Sequence, residues 1–171
     1  MQPSVGPFVV DTRRAQRNVG HPEPFQVAGS LEVEGDPGVM PDPETPVVVV
    51  GTLQSLSDGS IVVRADAKGA WVGQCRRCLR QLSEPLDVQL NEVFEAEPEE
   101  GETYQLGDHS IDLEQAVRDN FILDMPLLAL CAQDCEGICA VCGADRNDAL
   151  CHCAAEQTDP RWDALNDLDF S

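Results

Sequence analysis

Eight cysteines are the residues of this chain whose type and spacing most clearly point to chemistry. Two of them enclose a pair of arginines in a Cys-Arg-Arg-Cys segment, and the other six lie within residues 131–153. A Cys-x-x-Cys turn directs two thiolates at one point, which is half of a tetrahedral zinc site. The sequence therefore predicts two structural zinc sites with four cysteine ligands each. The predicted ligands are Cys75, Cys78, Cys131, Cys135, Cys139, Cys142, Cys151 and Cys153.

The spacing favours one division of these cysteines into two sites but leaves other divisions open. Cys139 and Cys142 form a second Cys-x-x-Cys turn, and Cys151 with Cys153 can complete that site by closing a short loop, which costs little chain entropy. By elimination, the first two cysteines of the tail would complete the site at the Cys-Arg-Arg-Cys segment and attach the tail to the sheet. His152 could replace one cysteine as a ligand.

Other kinds of thiol site use the same residue types. A zinc ion held by four cysteines has no open coordination position, so it stabilises structure and cannot activate water. Four thiolates can also hold an iron–sulfur cluster, and spacing alone does not exclude one. A thiol redox centre at Cys75 and Cys78 is disfavoured because no βαβ pattern surrounds them. The motifs of metalloproteases, serine hydrolases and nucleotide-binding enzymes are missing, so we expect a binding protein and not an enzyme.

The charge of the chain limits its partners, because 31 acidic residues against 11 basic ones give a formal net charge of −20. Such a surface repels a polyanion at long range, so any contact with RNA must be local. The basic residues cluster beside the Cys-x-x-Cys turn and near the N-terminus, where they could bind phosphates or pair with the chain's own carboxylates. The alternative partner is a basic ribosomal protein, which the acidic chain would escort. The candidate RNA contacts are Arg76, Arg77 and Arg80, with Arg13, Arg14 and Arg17 as a second group.

The first residues and the apolar segments of the chain indicate in which cell compartment the protein works. Residues 1–10 lack a cationic segment followed by a long apolar run, and no stretch approaches the roughly eighteen apolar residues of a membrane helix. We therefore expect a cytoplasmic protein with no membrane partner. Thiols stay reduced in that compartment, so metal ligation explains eight cysteines better than four disulfides do.

The local patterns of the sequence predict an α+β fold. It consists of an antiparallel β-sheet or partial barrel with one main helix, followed by a Cys-rich zinc-binding tail. Residues 1–45 read as a Pro-rich arm with one or two strands, residues 46–130 as the sheet, an acidic loop and the helix, and residues 131–171 as the tail. The alternation of residues 47–56 and 61–68 around an Asp-Gly turn predicts a hairpin that leads to the first two cysteines.

The rest of the predicted sheet and both predicted helices follow from local patterns. Residues 86–94 alternate as a return strand that slips phase near Glu92, as a bulge would cause. The six glutamates of residues 92–102 predict an exposed loop, with a carboxylate metal site as the alternative. Asp112 begins a helix that Pro126 ends, and Asp159 caps a short closing helix.

Taken together, these segments resemble the YceD family, the large ribosomal RNA subunit accumulation proteins. The resemblance covers roughly residues 46–165 and is most specific in its second half. It is carried by Cys75-Arg-Arg-Cys78-Leu79, the helix ending at Pro126, Asp134-Cys135-Glu136-Gly137-Ile138-Cys139, Cys142-Gly143, Cys151-His152-Cys153 and Asp159-Pro160-Arg161-Trp162.

The resemblance implies a role in the accumulation or maturation of large-subunit ribosomal RNA, with precursor RNA or a basic ribosomal protein as partner. It implies no particular reaction. Ile138 and Ala140 stand where the family pattern has Leu and Pro, and these departures leave every predicted ligand in place.

Overall fold

The computed structural model describes residues 6–32, 38–148 and 151–153. This part of the chain is mostly sheet, with one short and one longer helix. The elements in chain order are β1 (Val9–Asp11), α1 (Arg13–Arg17), β2 (Glu23–Gly29), β3 (Val39–Pro41), β4 (Val47–Ser55), β5 (Ile61–Gln74), β6 (Gln81–Glu95), β7 (Tyr104–Gln105), β8 (Ser110–Asp112) and α2 (Glu114–Asp124).

The hairpin predicted around the Asp-Gly turn is β4 and β5, which pair antiparallel from Ser55 opposite Ile61 to Val48 opposite Lys68. Gly59 has a φ of 93°, a conformation that glycine adopts at little cost. The turn also uses Asp58, whose carboxylate accepts hydrogen bonds from the amide and hydroxyl of the same serine two residues later. This turn chemistry fixes the register of the sheet's central pair of strands.

The return strand β6 is longer than predicted and contains no bulge. It pairs with β5 without interruption from Ile61 opposite Phe94 to Gln74 opposite Gln81. The prediction of a bulge near Glu92 was wrong because Glu92 occupies a core-facing place in an unbroken alternation. Its carboxylate accepts a hydrogen bond of 2.7 Å from Asn120 on α2, which allows a charged group to stand where an apolar one was expected.

Within the residues that the structure describes, the main sheet is open and does not close into a barrel. Its strand order is β2-β4-β5-β6-β7, and β3 pairs with the far end of β5. The pairing is antiparallel except that β7 runs parallel to β6. A separate two-stranded sheet joins β1 to β8.

The described part of residues 1–45 contains the strands β1, β2 and β3 and the short helix α1, where the sequence predicts one or two strands. Its strand β2 pairs with β4 over the full length from Glu23 to Gly29, and α1 was not predicted at all. Alternation of exposed and half-buried residues along β2 places Phe25 and Val27 against the core. Among the described prolines, Pro7 and Pro43 lie in turns and Pro24 lies in the edge strand β2, where a missing amide donor costs little.

Helix α2 lies at the place that the sequence predicts and covers one face of the sheet. Leu113, Val117 and Phe121 are fully buried, and the helix ends at Asp124, just before Pro126. Asp112 accepts a hydrogen bond of 3.0 Å from the amide of Glu114, which satisfies one free donor at the helix start. Neither described helix is long and apolar enough to cross a membrane.

Two further sequence predictions concern the segments around these elements. The predicted loop of residues 92–102 begins later than expected, because Glu92 and Glu95 belong to β6 and are half-buried, while the four glutamates after β6 are exposed. Within the described residues these carboxylates do not converge into a group of three metal ligands. The closing helix predicted from Asp159 lies outside the described residues.

Candidate metal centres

The first group of four cysteines lies at the tip of the β5–β6 hairpin. Cys75 and Cys78 occupy the turn, and Cys131 and Cys135 approach it from the segment after α2. All four sulfur atoms lie within 4.8 Å of one another, with 3.8 Å between Cys75 and Cys135 and 3.6 Å between Cys78 and Cys131. A zinc–sulfur distance of about 2.3 Å implies about 3.8 Å between two ligand sulfurs of a tetrahedron. We call this group the inner cluster, since three of its four cysteines are buried.

The hairpin tip directs its two thiols through backbone hydrogen bonds. The amide of Cys75 donates to the carbonyl of Arg80 at 2.8 Å, and the amide of Leu79 donates to the carbonyl of Cys75 at 2.9 Å. Leu79 has a φ of 61°, which is uncommon for a residue with a side chain and closes the turn tightly. This strained turn holds both thiols on the same side of the hairpin.

The second group, which we call the outer cluster, consists of Cys139, Cys142, Cys151 and Cys153. Its sulfur atoms also lie within 4.8 Å of one another, with 3.5 Å from Cys142 to Cys151 and 3.3 Å from Cys151 to Cys139. Cys142 and Cys153 are exposed, so solvent reaches this cluster. The division into two groups is the one that the cysteine spacing favours.

A tight turn also builds the outer cluster. Gly143 has a φ of 71°, and its amide donates to the carbonyl of Cys139 at 2.8 Å. The amide of Val141 lies 3.4 Å from the Cys139 sulfur, and the amide of Cys153 lies 3.4 Å from the Cys151 sulfur. Such amide donors stabilise thiolates and orient them as metal ligands.

The two clusters share an electrostatic pattern that suits a cation. Backbone amides lower the pKa of Cys75 to about 6, and the amide of Cys142 does the same for Cys139. The neighbouring thiol of Cys135 raises the pKa of Cys131 to about 12, and that of Cys151 raises the pKa of Cys153 to about 12. Four adjacent thiols therefore cannot all ionise without a positive charge among them. A divalent cation supplies that charge, and four sulfur donors fit zinc or an iron–sulfur cluster.

Asn147 connects the two clusters. Its side-chain amide lies 3.4 Å from the sulfur of Cys135, and its carbonyl oxygen accepts a hydrogen bond of 2.9 Å from the amide of Glu136. Asn147 belongs to the loop between the second and third cysteines of the outer cluster, so that loop is attached directly to a thiol of the inner cluster. The sequence shows only a stretch of Asp and Asn that is typical of a turn, and its spacing does not predict this contact.

Two arginines at the tip of the β5–β6 hairpin contact residues 133–148. Arg77 donates to the carbonyls of Gln133 and Cys135, at 3.1 and 2.9 Å. Arg80 pairs with Asp145 at 3.1 Å and with Asp148 at 2.5 Å. At Arg80 the structure thus shows pairing with the chain's own carboxylates, which was the alternative to phosphate binding.

The remaining candidate residues lie apart from these contacts. Arg76 is exposed, and its side chain has no hydrogen bond or ion pair with any described residue. Arg13 pairs with Asp11, and Arg14 pairs with a glutamate of β2 at 2.8 Å. His152 is exposed and is not among the groups that converge in the outer cluster.

Comparison with known families agrees with the cysteine pattern. The family model described as "Large ribosomal RNA subunit accumulation protein YceD" matches residues 63–169, a region that begins inside β5 and contains all eight cysteines. The chain belongs to the YceD family. The YceD match therefore includes both clusters, the loop that carries Asn147 and helix α2.

Curated proteins with similar sequences include an uncharacterized protein of Mycobacterium tuberculosis, 33% identical over 123 residues, or 68% of this chain and 58% of that protein. An uncharacterized protein of Mycobacterium leprae is 29% identical over the same length, covering 56% of that protein. The chain thus spans less than two thirds of these relatives. The chloroplastic YCED homolog 1 of Arabidopsis thaliana, described as a large ribosomal RNA subunit accumulation protein, is 34% identical over 58 residues, or 34% of this chain and 18% of that protein. No solved structure matches.

Proposed function

We propose that this chain is a non-catalytic cytoplasmic factor that holds two structural zinc ions and supports the accumulation of large-subunit ribosomal RNA. The observation that carries the proposal is the convergence of eight cysteines into two groups of four inside the region that matches the YceD model. The family description supplies the link to ribosomal RNA, and the geometry of the sulfur atoms supports the metal.

The donor set supports a structural role for the metal. Four protein sulfurs fill a tetrahedral site, so a bound zinc ion has no position left for water or substrate. The inner cluster joins the hairpin to the segment after α2, and the outer cluster closes a loop on itself. Zinc in such sites supplies binding energy of about 10 to 16 kcal/mol, as much as the whole stability of many domains.

Native mass spectrometry with elemental analysis tests the metal. We expect two zinc ions per chain in protein purified under reducing conditions without added metal, one of which is lost in the variant Cys139→Ser/Cys142→Ser. The matched control is Ser57→Ala/Ser83→Ala, which changes two exposed serines away from both clusters and should leave both zinc ions bound. Iron with labile sulfide would instead establish iron–sulfur clusters, and a folded protein without metal would refute the structural sites.

Complementation tests the role. In cells that lack the gene, the wild-type chain should restore the normal ratio of large-subunit to small-subunit ribosomal RNA. The variant Cys75→Ser/Cys78→Ser should fail to restore it, because the inner cluster ties the family-matched segments together. An unchanged RNA ratio after deletion of the gene, in cells without a second copy, would contradict the proposed role whatever the metal content.

A specific observation favours escort of a basic ribosomal protein over direct contact with RNA as the mode of action. Two of the three candidate RNA contacts, Arg77 and Arg80, already bind carbonyls and carboxylates of the chain, and the net charge is −20. Arg76 is the member of the group that keeps a guanidinium available to a phosphate among the described residues.

Filter binding to large-subunit RNA fragments separates the two modes. Direct contact predicts that Arg76→Ala/Arg77→Ala/Arg80→Ala weakens binding and lowers the salt slope by about 0.7 for each lost single-strand phosphate contact. The escort mode predicts weak RNA binding that the triple variant leaves unchanged, together with salt-sensitive binding of purified basic ribosomal proteins.

A further inference from the structure

Exposed apolar side chains are concentrated in one short part of the described chain. Half of the exposed large apolar residues lie within residues 122–130, between the end of α2 and the inner cluster. Leu127 is 90% exposed, Leu123 80% and Leu128 62%. Contiguous exposed apolar patches on a protein surface commonly mark sites of interaction. We call this patch the leucine ridge; it consists of Ile122, Leu123, Leu127, Leu128 and Leu130.

The ridge is held in place by buried residues on both sides of its two central leucines. Met125 and Ala129 are buried and pack with Val39 and Trp71 in a small core of their own. The carbonyl of Ala129 also accepts a hydrogen bond of 2.9 Å from the amide of Arg76. The backbone around Leu127 and Leu128 is therefore fixed from both ends, and the two side chains point away from the core. A surface held in this way loses little conformational entropy when a partner covers it.

The charge around the ridge indicates what kind of partner it fits. From residue 119 to residue 136 the sequence contains four acidic residues and no Lys, Arg or His. Asp124, Asp134 and Glu136 are exposed within this stretch, while Asp119 accepts a hydrogen bond from the hydroxyl of Tyr104. Two arginines of the hairpin tip also contact the stretch: the amide of Arg76 donates to the carbonyl of Ala129, and the guanidinium of Arg77 donates to the carbonyls of Gln133 and Cys135. The three exposed carboxylates outnumber these two arginines and the whole chain carries a net charge of −20, so the region attracts a partner with basic residues around an apolar face more strongly than it attracts phosphates. Leucine side chains also lack the flat surface on which nucleic-acid bases stack.

We infer that the leucine ridge is the docking site for a basic amphipathic segment of a protein partner, whose apolar face covers Leu123, Leu127 and Leu128 while its lysines or arginines meet the surrounding carboxylates. The inference rests on the escort mode described above, and it identifies the surface through which that mode operates. The apolar face supplies affinity that salt does not screen, and the charges supply orientation and a fast approach.

A defined peptide tests the inference with the full-length, metal-loaded protein. The probe is a synthetic peptide with leucines on one helical face and lysines elsewhere, and the control peptide has serines in place of the leucines. We expect the leucine peptide to bind, and to remain bound at a salt concentration that releases the serine peptide. The variant Leu127→Ser/Leu128→Ser should bind the leucine peptide about tenfold more weakly or worse, because two leucines lose their apolar contact.

The matched control variant is Val19→Ser/Val50→Ser, which removes two half-exposed apolar side chains elsewhere and should bind like the wild type. Metal content is measured in every variant. If Leu127→Ser/Leu128→Ser keeps both metal ions and binds the leucine peptide as tightly as the wild type, the docking site is refuted while the proposed function stands. If the wild-type protein holds no metal, the structural-zinc part of the proposed function fails, whatever the peptide result.

Hydroxyl-radical footprinting distinguishes the other possible occupants of the ridge. We expect rapid oxidation of Leu127 and Leu128 in the free protein and protection when the leucine peptide is bound. Protection in the free monomer would mean that the chain covers its own ridge, and protection that depends on protein concentration would mean that a second copy does. Protection by large-subunit RNA alone would identify a nucleic-acid surface. Each of these three results would overturn the inference.

Discussion

Cys75 and Cys139 occupy equivalent places, since each is the first cysteine of a Cys-x-x-Cys turn and receives a backbone amide that lowers its pKa to about 6. Cys131 and Cys153 have the opposite environment, in which adjacent thiols raise the pKa to about 12. Near neutral pH the first pair is largely ionised and the second pair is protonated. A metal ion that binds all four sulfurs of a cluster must therefore displace protons.

This pattern predicts proton release on metal binding. Calorimetry in buffers of different ionisation enthalpy should show about two or more protons released per zinc ion, and the apparent affinity should rise with pH. The sign follows from the raised pKa values, because acid keeps those thiols protonated and alkali removes the competing protons. A binding enthalpy that does not depend on the buffer would contradict ligation by these thiols.

Asn147 is the residue whose side chain joins the two clusters, and its replacement tests that contact. In Asn147→Asp the amide that faces the Cys135 sulfur becomes a carboxylate oxygen, so an attractive contact becomes a repulsive one. Hydrogen bonds to charged groups are worth about 1.5 to 3 kcal/mol, which predicts an affinity for the inner metal ion about tenfold lower or worse. Competition with a chromophoric chelator measures the affinity for the inner metal ion. Asn91→Asp is the control, since the Asn91 side chain bonds only to Arg64 among the described residues.

At the scale of the elements, two glycine turns in the cysteine-rich segment differ in how much space a side chain would have. Gly137 and Gly143 both have positive φ values, 75° and 71°. A Cβ at Gly137 would lie 3.0 Å from the carbonyl oxygen of Arg77, whereas a Cβ at Gly143 would meet nothing within 4 Å. Gly137 thus lets the segment after Cys135 pack against the hairpin tip, where the amide of Ile138 donates to that same carbonyl at 3.1 Å.

Replacing each of these glycines by alanine separates the cost of backbone strain from the cost of disturbed packing. Gly143→Ala should cost about 1 to 2 kcal/mol from the positive φ alone. Gly137→Ala carries the same strain and must also push the hairpin away, so its cost should be larger by about 1 kcal/mol or more. Urea unfolding of the metal-loaded protein, followed by circular dichroism and by zinc release, compares them. Equal midpoints for the two variants would show that the contact with Arg77 contributes nothing.

The elements also show which parts of the fold a sequence can specify. The β4–β5 hairpin was predictable because Asp58 and Gly59 are the residues that its turn requires, and α2 because its apolar residues recur at helical spacing up to Pro126. The alternation of the return strand suggests a change of phase at Glu92, because a charged residue stands on the core face, and the hydrogen bond from Asn120 on α2 that accommodates it joins segments far apart in sequence. Pairing of β2 with β4 joins distant segments, and no local pattern encodes it.

The grouping of the cysteines was predictable from the sequence, and the contacts between the two clusters were not. Thiol spacing alone favoured the two groups of four, because a Cys-x-x-Cys turn and a short loop leave few geometric choices. The link through Asn147 depends on the path of a loop in space. The leucine ridge was also missed, because Leu127 and Leu128 look like core residues in the sequence, and only their exposed side chains reveal a surface.

At the scale of the whole molecule, the described chain has two separate sources of stability. The main core consists of apolar residues from the sheet, α2 and the N-terminal region, and it contains no cysteine. The inner cluster is separate from that core, since Cys75, Cys78 and Cys135 are buried together with Cys131 packed against them. With metal bound, residues 131–148 and 151–153 would depend on sulfur ligation. The sheet depends on apolar burial, as do residues 125–130 through Met125 and Ala129, and such burial stabilises by about 25 cal/mol for each Å² removed from water.

This division predicts a partial response to metal removal. A strong chelator with a thiol reductant should abolish amide protection in residues 131–148 and 151–153, because the loss of zinc removes binding energy of about 10 to 16 kcal/mol. Amides of β4 and β5 should stay protected, since their hydrogen bonds lie over the separate apolar core. Hydrogen exchange with mass spectrometry measures both regions, and the same chelator saturated with zinc is the control. Simultaneous loss of protection in both regions would show that the metal sites and the apolar core form one cooperative unit. Unchanged protection after complete metal removal would show that metal binding by the thiols contributes no folding energy.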